Sequence, residues 1–256
     1  MISDGIAGQG EPAETVVPGS GLTAPLLRSR IAEVRRRIDG ACLSAGRLPS
    51  DVTLIGVSKT MPAEVIDMAV EAGLEEFGEN YVAEAREKAA RHPEVRWHLI
   101  GHLQRNKAGI AAKFADVIHS LDSLDIIRRV DRHCAELGLH ISGLLEVHLG
   151  GESSKTGIEP GQLFDILEQL AAEPPVHLSL TGLMTVPPPC ADSQGNRPYF
   201  RRLREMLEEI RQRGYSFWKG NELSMGMSGD YEAAVAEGAT FVRVGRAIFG
   251  DRPRKL

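Results

Sequence analysis

The sequence predicts an α/β protein, a single-domain (β/α)8 TIM-type barrel with an extra N-terminal helix. Three observations carry this. After Pro49, short apolar segments alternate with amphipathic ones through eight repeats. Strands alternating with helices imply a parallel sheet with right-handed crossovers. The chain has 256 residues, and an eightfold barrel takes about 250. An open doubly wound sheet is the alternative. No Gly-x-Gly-x-x-Gly opens a helix after the first strand, which weakens a dinucleotide-binding reading.

Residues 1–24 are rich in Gly, Pro, Ala, Ser and Thr without a hydrophobic period, and predict a disordered tail; the folded domain is 25–256. From 26 to about 45, Leu27, Ile31, Val34, Ile38, Ala41 and Cys42 recur at three- and four-residue spacing, predicting an amphipathic helix. Its outer face carries Arg28, Arg30, Arg35 and Arg36 with Glu33 and Asp39, a solvated face before a nucleic-acid patch. Strands are then expected at 52–58, 76–78, 97–100, 117–120, 143–148, 178–184, 222–224 and 240–244. The helices between them are expected at 62–72, 81–91, 104–113, 123–137, 160–172, 199–213 and 230–237. Pro62 suits the first turn of its helix.

Composition narrows the function. The chain is 42% hydrophobic and 25% charged, with net charge −5, so nothing global points to nucleic acid or an anionic membrane. Cys42, Cys134 and Cys190 lie far apart and read as reduced thiols, not a disulfide frame or zinc site. No apolar run approaches membrane-spanning length, and no secretory signal is visible, so the expected location is cytoplasmic.

Barrel sites sit at the carboxyl ends of the strands. There the sequence sets Lys59, Glu79-Asn80, Gly101-His102, His119-Ser120, His148, Met184-Thr185, residues 224–228 and Gly245-Arg246. Lys59 follows the apolar run 54–57. Read alone it is a solvated strand-end lysine, or else an amine desolvated enough to attack a carbonyl. The segment 223–230, Leu-Ser-Met-Gly-Met-Ser-Gly-Asp, joins strand to helix. It is either a helix cap at Ser228 or Asp230, or a glycine-bearing turn for a phosphate. Arg243 lies between Val242 and Val244. Buried there, it needs a carboxylate such as Glu222 or Asp230, or a ligand. Gly245 and Arg246 follow the eighth strand, so both glycine-bearing segments fall where barrels commonly bind phosphate. His98, His102, His119 and His148 lack metal-ligand spacing, so no metal is expected. The loop 150–157 reads either as surface or as a cover bringing Lys155 near a ligand.

These segments together resemble the pyridoxal phosphate homeostasis protein family, relatives of the alanine racemase N-terminal barrel. The matching stretches are 57–60, 77–81, 97–107, 154–157, 182–184, 223–230 and 242–250, spread over nearly the whole chain. The resemblance implies pyridoxal 5'-phosphate held as a Schiff base on Lys59. It implies Ser224, Met225, Gly226, Ser228, Gly245 and Arg246 around the phosphate. Arg243 would lie near the ring, with Asn80, His98 and Met184 lining the pocket. Two positions depart from the pattern. Arg246 stands where some relatives carry a small hydroxyl residue, and His148 where an asparagine is expected, so His148 receives no role. Racemases of this kind add a β-domain and a tyrosine from the partner subunit. No second domain is expected here, and racemisation needs a base on each face of the cofactor. The implied function is cofactor homeostasis without turnover, with apo pyridoxal-phosphate enzymes as partners; the sequence shows no apolar stripe beyond the helix faces a barrel uses, so a monomer is expected. A weak amino-acid racemase is the alternative, and a cofactor-free interaction module using the first helix is the third reading.

Overall fold

In the computed structural model, which describes residues 21–150 and 156–251, eight parallel strands close in sequence order into a barrel. The strands are β1 Thr53–Val57, β2 Glu76–Glu79, β3 Arg96–Leu99, β4 Val117–Leu121, β5 Ile141–Glu146, β6 Leu178–Met184, β7 Trp218–Ser224 and β8 Phe241–Val244. β8 pairs back onto β1 with Ile55 beside Arg243, so the open-sheet alternative is excluded.

The first helix, α1 Ala24–Ser44, starts earlier than the expected tail boundary. Thr23 Oγ1 accepts the N–H of Leu26, and Leu22 is buried. Residues 1–20 of the expected tail lie outside the described residues. Leu27, Ile31, Val34, Ile38 and Cys42 form the buried face of α1. It packs on α2 Ala63–Glu71, α8 Tyr231–Ala236 and α9 Arg246–Phe249, where the first and last units meet. Two of its arginines tie it to the rest of the protein, Arg35 donating to Gly73 O and Arg30 to Ile248 O, and Arg36 pairs with Glu33 on the same helix.

The remaining helices are α3 Val82–Arg91, α4 Ala108–Ala111, α5 Leu124–Leu137, α6 Pro160–Ala172 and α7 Arg197–Arg213. The helix expected at 104–113 is a 3-10 turn, Arg105–Lys107, followed by the short α4. There Gly109 lies against the His133 ring of α5; a Cβ on it would come within 3.2 Å of that ring. β7 starts four residues before its expected start. Lys219, Gly220 and Asn221 break the apolar pattern because this strand is half exposed.

Alternation along the strands decides what enters the lumen. Ile55, Val117, Leu144, Met184 and Phe241, from five strands, form an apolar cluster separate from the outer core. Two residues past Phe241 and Val117, on the same side of their strands, are Arg243 and His119. Outward neighbours such as Phe77 and Trp97, with ring centroids 5.4 Å apart, belong to the layer under the helices. Among the described residues no helix is long and apolar enough to cross a membrane, and no group of three His, Cys, Asp or Glu could hold a metal.

Candidate functional site

A cavity of about 510 Å³ opens at the carboxyl ends of the strands. Val57 and Lys59 line it from the end of β1, Asn80 and Ile100 from the ends of β2 and β3, and Val186 from beyond β6. Ser228 and Gly229 from beyond β7, and Arg243, Gly245 and Arg246 from β8 and its end, complete the lining. Six expected site residues therefore meet in one space: Lys59, Asn80, Ser228, Arg243, Gly245 and Arg246.

Lys59 sits in a braced turn. Ser58 Oγ donates to Glu79 Oε1 at 2.6 Å. Lys88 Nζ, reaching from α3, donates to Glu79 Oε1 at 2.7 Å, Glu84 Oε1 at 2.7 Å and Ser58 O at 2.8 Å. Glu84 also accepts the backbone N–H of Thr60 at 2.6 Å. Thr60 has φ +67°, the one non-glycine residue with positive φ among those described. A β-branched residue in that region is strained, and such strain persists only where the surroundings over-determine it. The ion cluster supplies that constraint. Burial pushes the Glu79 carboxyl above its usual range, and Lys88 opposes the rise.

Arg243 is held differently. It does not hydrogen-bond to either carboxylate the sequence offered it. Asp230 instead caps Met227 N–H and accepts from Asn196. Arg243 Nη1 donates to Ser224 Oγ, and Nη2 donates to Thr185 O at 2.9 Å. Burial pulls its guanidinium down to about 10, still a cation at neutral pH, with Glu146 and Asp230 opposing the fall.

Glycine is demanded at two points around the cavity. Gly226 has φ +91°, and a Cβ there would lie 2.5 Å from Ala234 Cβ; its carbonyl accepts Arg243 N–H at 3.0 Å. A Cβ on Gly101 would lie 2.4 Å from Asn80 O, so this glycine lets the two strand ends close together. Ser228 Oγ accepts Ala247 N–H at 3.3 Å and joins the two glycine-bearing segments. Asn80 Oδ1 is a buried acceptor without a protein partner, an atom that a ligand N–H or O–H would satisfy.

Five expected residues do not line the cavity. Met225 is buried in the outer core and Met184 in the lumen cluster. Gly226 acts through its backbone and Ser224 through Arg243. His98 lies in the lumen beneath, hydrogen-bonded to His119 and Glu76. His148 is buried at a neighbouring recess beside Glu146, and each keeps one buried polar atom without a partner. Lys155 lies outside the described residues. Sequence reasoning missed Lys88 and Glu84. Lys88 lies four residues beyond Glu84 on a helix, a spacing that elsewhere signals an ordinary surface pair.

The barrel is of the alanine racemase N-terminal class: residues 45–253 match the family described as "Alanine racemase, N-terminal domain". A solved alanine racemase from Clostridium difficile shares this fold at TM-score 0.65 and 16% identity, over 90% of this chain and 57% of the racemase. Much nearer is the "Pyridoxal phosphate homeostasis protein" of Aquifex aeolicus, 40% identical over 87% of this chain and 97% of that protein. The Escherichia coli K12 protein of the same name is 39% identical over 87% and 95%. The structure of PipY from Synechococcus elongatus "with PLP bound" aligns at TM-score 0.76 and 37% identity, over 88% of this chain and all of PipY. The chain belongs to the pyridoxal phosphate homeostasis protein family.

Proposed function

We propose that this protein binds pyridoxal 5'-phosphate covalently, as a Schiff base on Lys59, and serves its homeostasis in the cytoplasm as a monomeric carrier for apo-enzymes, without turnover. The observation that carries the reading is the cavity itself, lined by an amine just past β1 and a buried guanidinium on β8. The residues fit the group. The volume suits a small cofactor, and Asn80 Oδ1 awaits a donor. Ser228, Gly229, Gly245 and Arg246 offer a hydroxyl, exposed backbone and a cation to a phosphate. When bound, the cofactor supplies an electrophilic aldehyde.

The chain's own groups favour holding over reacting. Arg243 is a cation where a ring nitrogen would face it, which disfavours protonation of that nitrogen and weakens an electron sink. Among the described residues lining the cavity, the titratable side chains are Lys59, Arg243, Arg246 and Asp251. Arginines stay protonated, and Asp251, 91% exposed, pairs with Arg246 at 3.5 Å at the mouth. This set holds no second base beside Lys59, which favours holding over racemisation.

The test is a titration of cofactor-free protein with pyridoxal phosphate, followed by absorption. The wild type should gain the visible band of a lysine adduct, and Lys59→Ala should not. A band retained in the variant overturns the assignment. Racemisation of any amino acid in a sensitive panel, lost in Lys59→Ala, would overturn the non-enzymatic reading.

A further inference from the structure

The lumen beneath the cavity holds a continuous polar chain. Arg243 Nη1 donates to Ser224 Oγ. Ser224 Oγ lies 2.8 Å from His119 Nδ1, and His119 Nε2 lies 2.8 Å from His98 Nδ1. His98 Nε2 contacts the Glu76 carboxylate, which also pairs with Arg96 at 3.4 Å at the foot of the barrel. His98, His119 and Ser224 are fully buried, and Phe241 packs against both imidazoles with ring centroids 5.5 and 5.3 Å away. The chain therefore spans the barrel from the amino end of β2 to the cavity.

Hydrogen counting gives this chain a direction. A neutral imidazole has one donor and one acceptor nitrogen. Glu76, as a carboxylate, only accepts, so His98 carries its proton on Nε2 and accepts at Nδ1. His119 then donates from Nε2 and accepts at Nδ1. Ser224 donates its hydroxyl to His119 and accepts from Arg243. Every link is satisfied, and every donor points from Arg243 towards Glu76. The reverse order needs a protonated Glu76 beside Arg96, and Ser224 Oγ accepting from His119 and Arg243 together.

We propose that Glu76 is a long-range positioning residue for Arg243: its carboxylate fixes the donor direction of the Ser224–His119–His98 chain and so holds the guanidinium in one orientation at the cavity. Hydrogen bonds in series polarise one another in a low-dielectric interior, which gives the far end a means to act on the near one. Burial holds both imidazoles below the usual histidine range, so they enter the chain neutral. The charged groups that bear on them are Glu76 and Arg96 at the foot, Asp116 on the β3–β4 side and Arg243 above. Only the last step, from Arg243 to the ring, rests on the cofactor reading.

The experiment is long-range proton–nitrogen correlation NMR on the full chain stripped of cofactor and labelled with nitrogen-15. Wild type should show two imidazoles locked as Nε2–H tautomers and unchanged between about pH 8 and about pH 5. Glu76→Gln, whose amide can donate as well as accept, should mix or reverse those tautomers. It should also weaken pyridoxal phosphate binding about fivefold, the worth of one buried hydrogen bond. An Nδ1–H tautomer in the wild type overturns the proposal, as do unchanged tautomers or unchanged affinity in Glu76→Gln. Should that variant fail to fold, Ser224→Ala decides: retained Nε2–H tautomers support direction from Glu76, and reversed ones place its source at Arg243 and overturn it. A wild type that shows the tautomers but takes up no cofactor would sink the cofactor reading alone.

Discussion

Lys59, just past β1, and Arg243, on the neighbouring β8, are two of the three cations among the described residues that line one cavity, and the protein supports them by opposite means. Lys59 is braced by charge. Lys88, Glu79 and Glu84 form an ion cluster between the ends of β1 and β2 and helix α3, with Glu84 still a quarter exposed. Arg243 is braced by neutral groups: a hydroxyl, a carbonyl and two uncharged imidazoles in the buried lumen. A charged cluster fixes the position of a strained turn, and solvent near Glu84 softens its desolvation cost. A neutral chain leaves a single charge in the middle of the barrel while settling which way its donors point. One support sets where an amine stands, and the other sets how a guanidinium faces.

Breaking the charged support should have the largest effect. Lys88→Met leaves Glu79 buried and unpaired, which costs about 3–5 kcal/mol in urea unfolding and slows formation of the lysine adduct. Glu146 tests what happens with neither support. It is buried beside the cavity, Thr156 Oγ1 reaches its Oε1 at 3.4 Å, and its Oε2 has no partner. Burial first, then Asp122, raises its carboxyl from 4.5 to about 7. Because the folded state holds this proton more tightly, the contribution is fully present below 4.5 and is lost as pH rises through 7. Glu146→Gln should therefore match wild type at low pH and exceed it by on the order of 3 kcal/mol at pH 8, in melts across that window.

Cutting the neutral support is milder. Ser224→Ala removes one acceptor of a charged donor and should cost about 2 kcal/mol in the same unfolding measurement, with cofactor affinity falling in step. Smallest is Thr60→Gly. It relieves the positive φ and keeps the N–H donated to Glu84, so stability should rise by about 0.5–1 kcal/mol despite the freer unfolded chain. A loss there would mean that the Thr60 side chain, and not the ion cluster, holds the turn.

Much of this was legible in the sequence. Eight alternations gave the closed barrel, and a lysine after the first strand and an arginine in the eighth pointed to one site. Arg243 was marked by its flanking valines, which leave a buried strand as its only home. The two supports were hidden for different reasons. Lys88 lies on a helix with Glu84 at surface-pair spacing, and only the packing of α3 on the β1–β2 ends buries it. The luminal chain joins residues 19 to 105 positions apart, and which of them face inward depends on strand register. His98 was singled out as a pocket residue through the family resemblance, while its register beside Gly78 sets it in the lumen, bonded to His119.

In the proposed function, Lys59 is the amine that takes the cofactor. The most direct measurement is borohydride reduction of the full chain loaded with pyridoxal phosphate, followed by mass mapping of the labelled peptides. A single label on the peptide carrying Lys59 is the predicted result. A label on another lysine with Lys59 unmodified would contradict it.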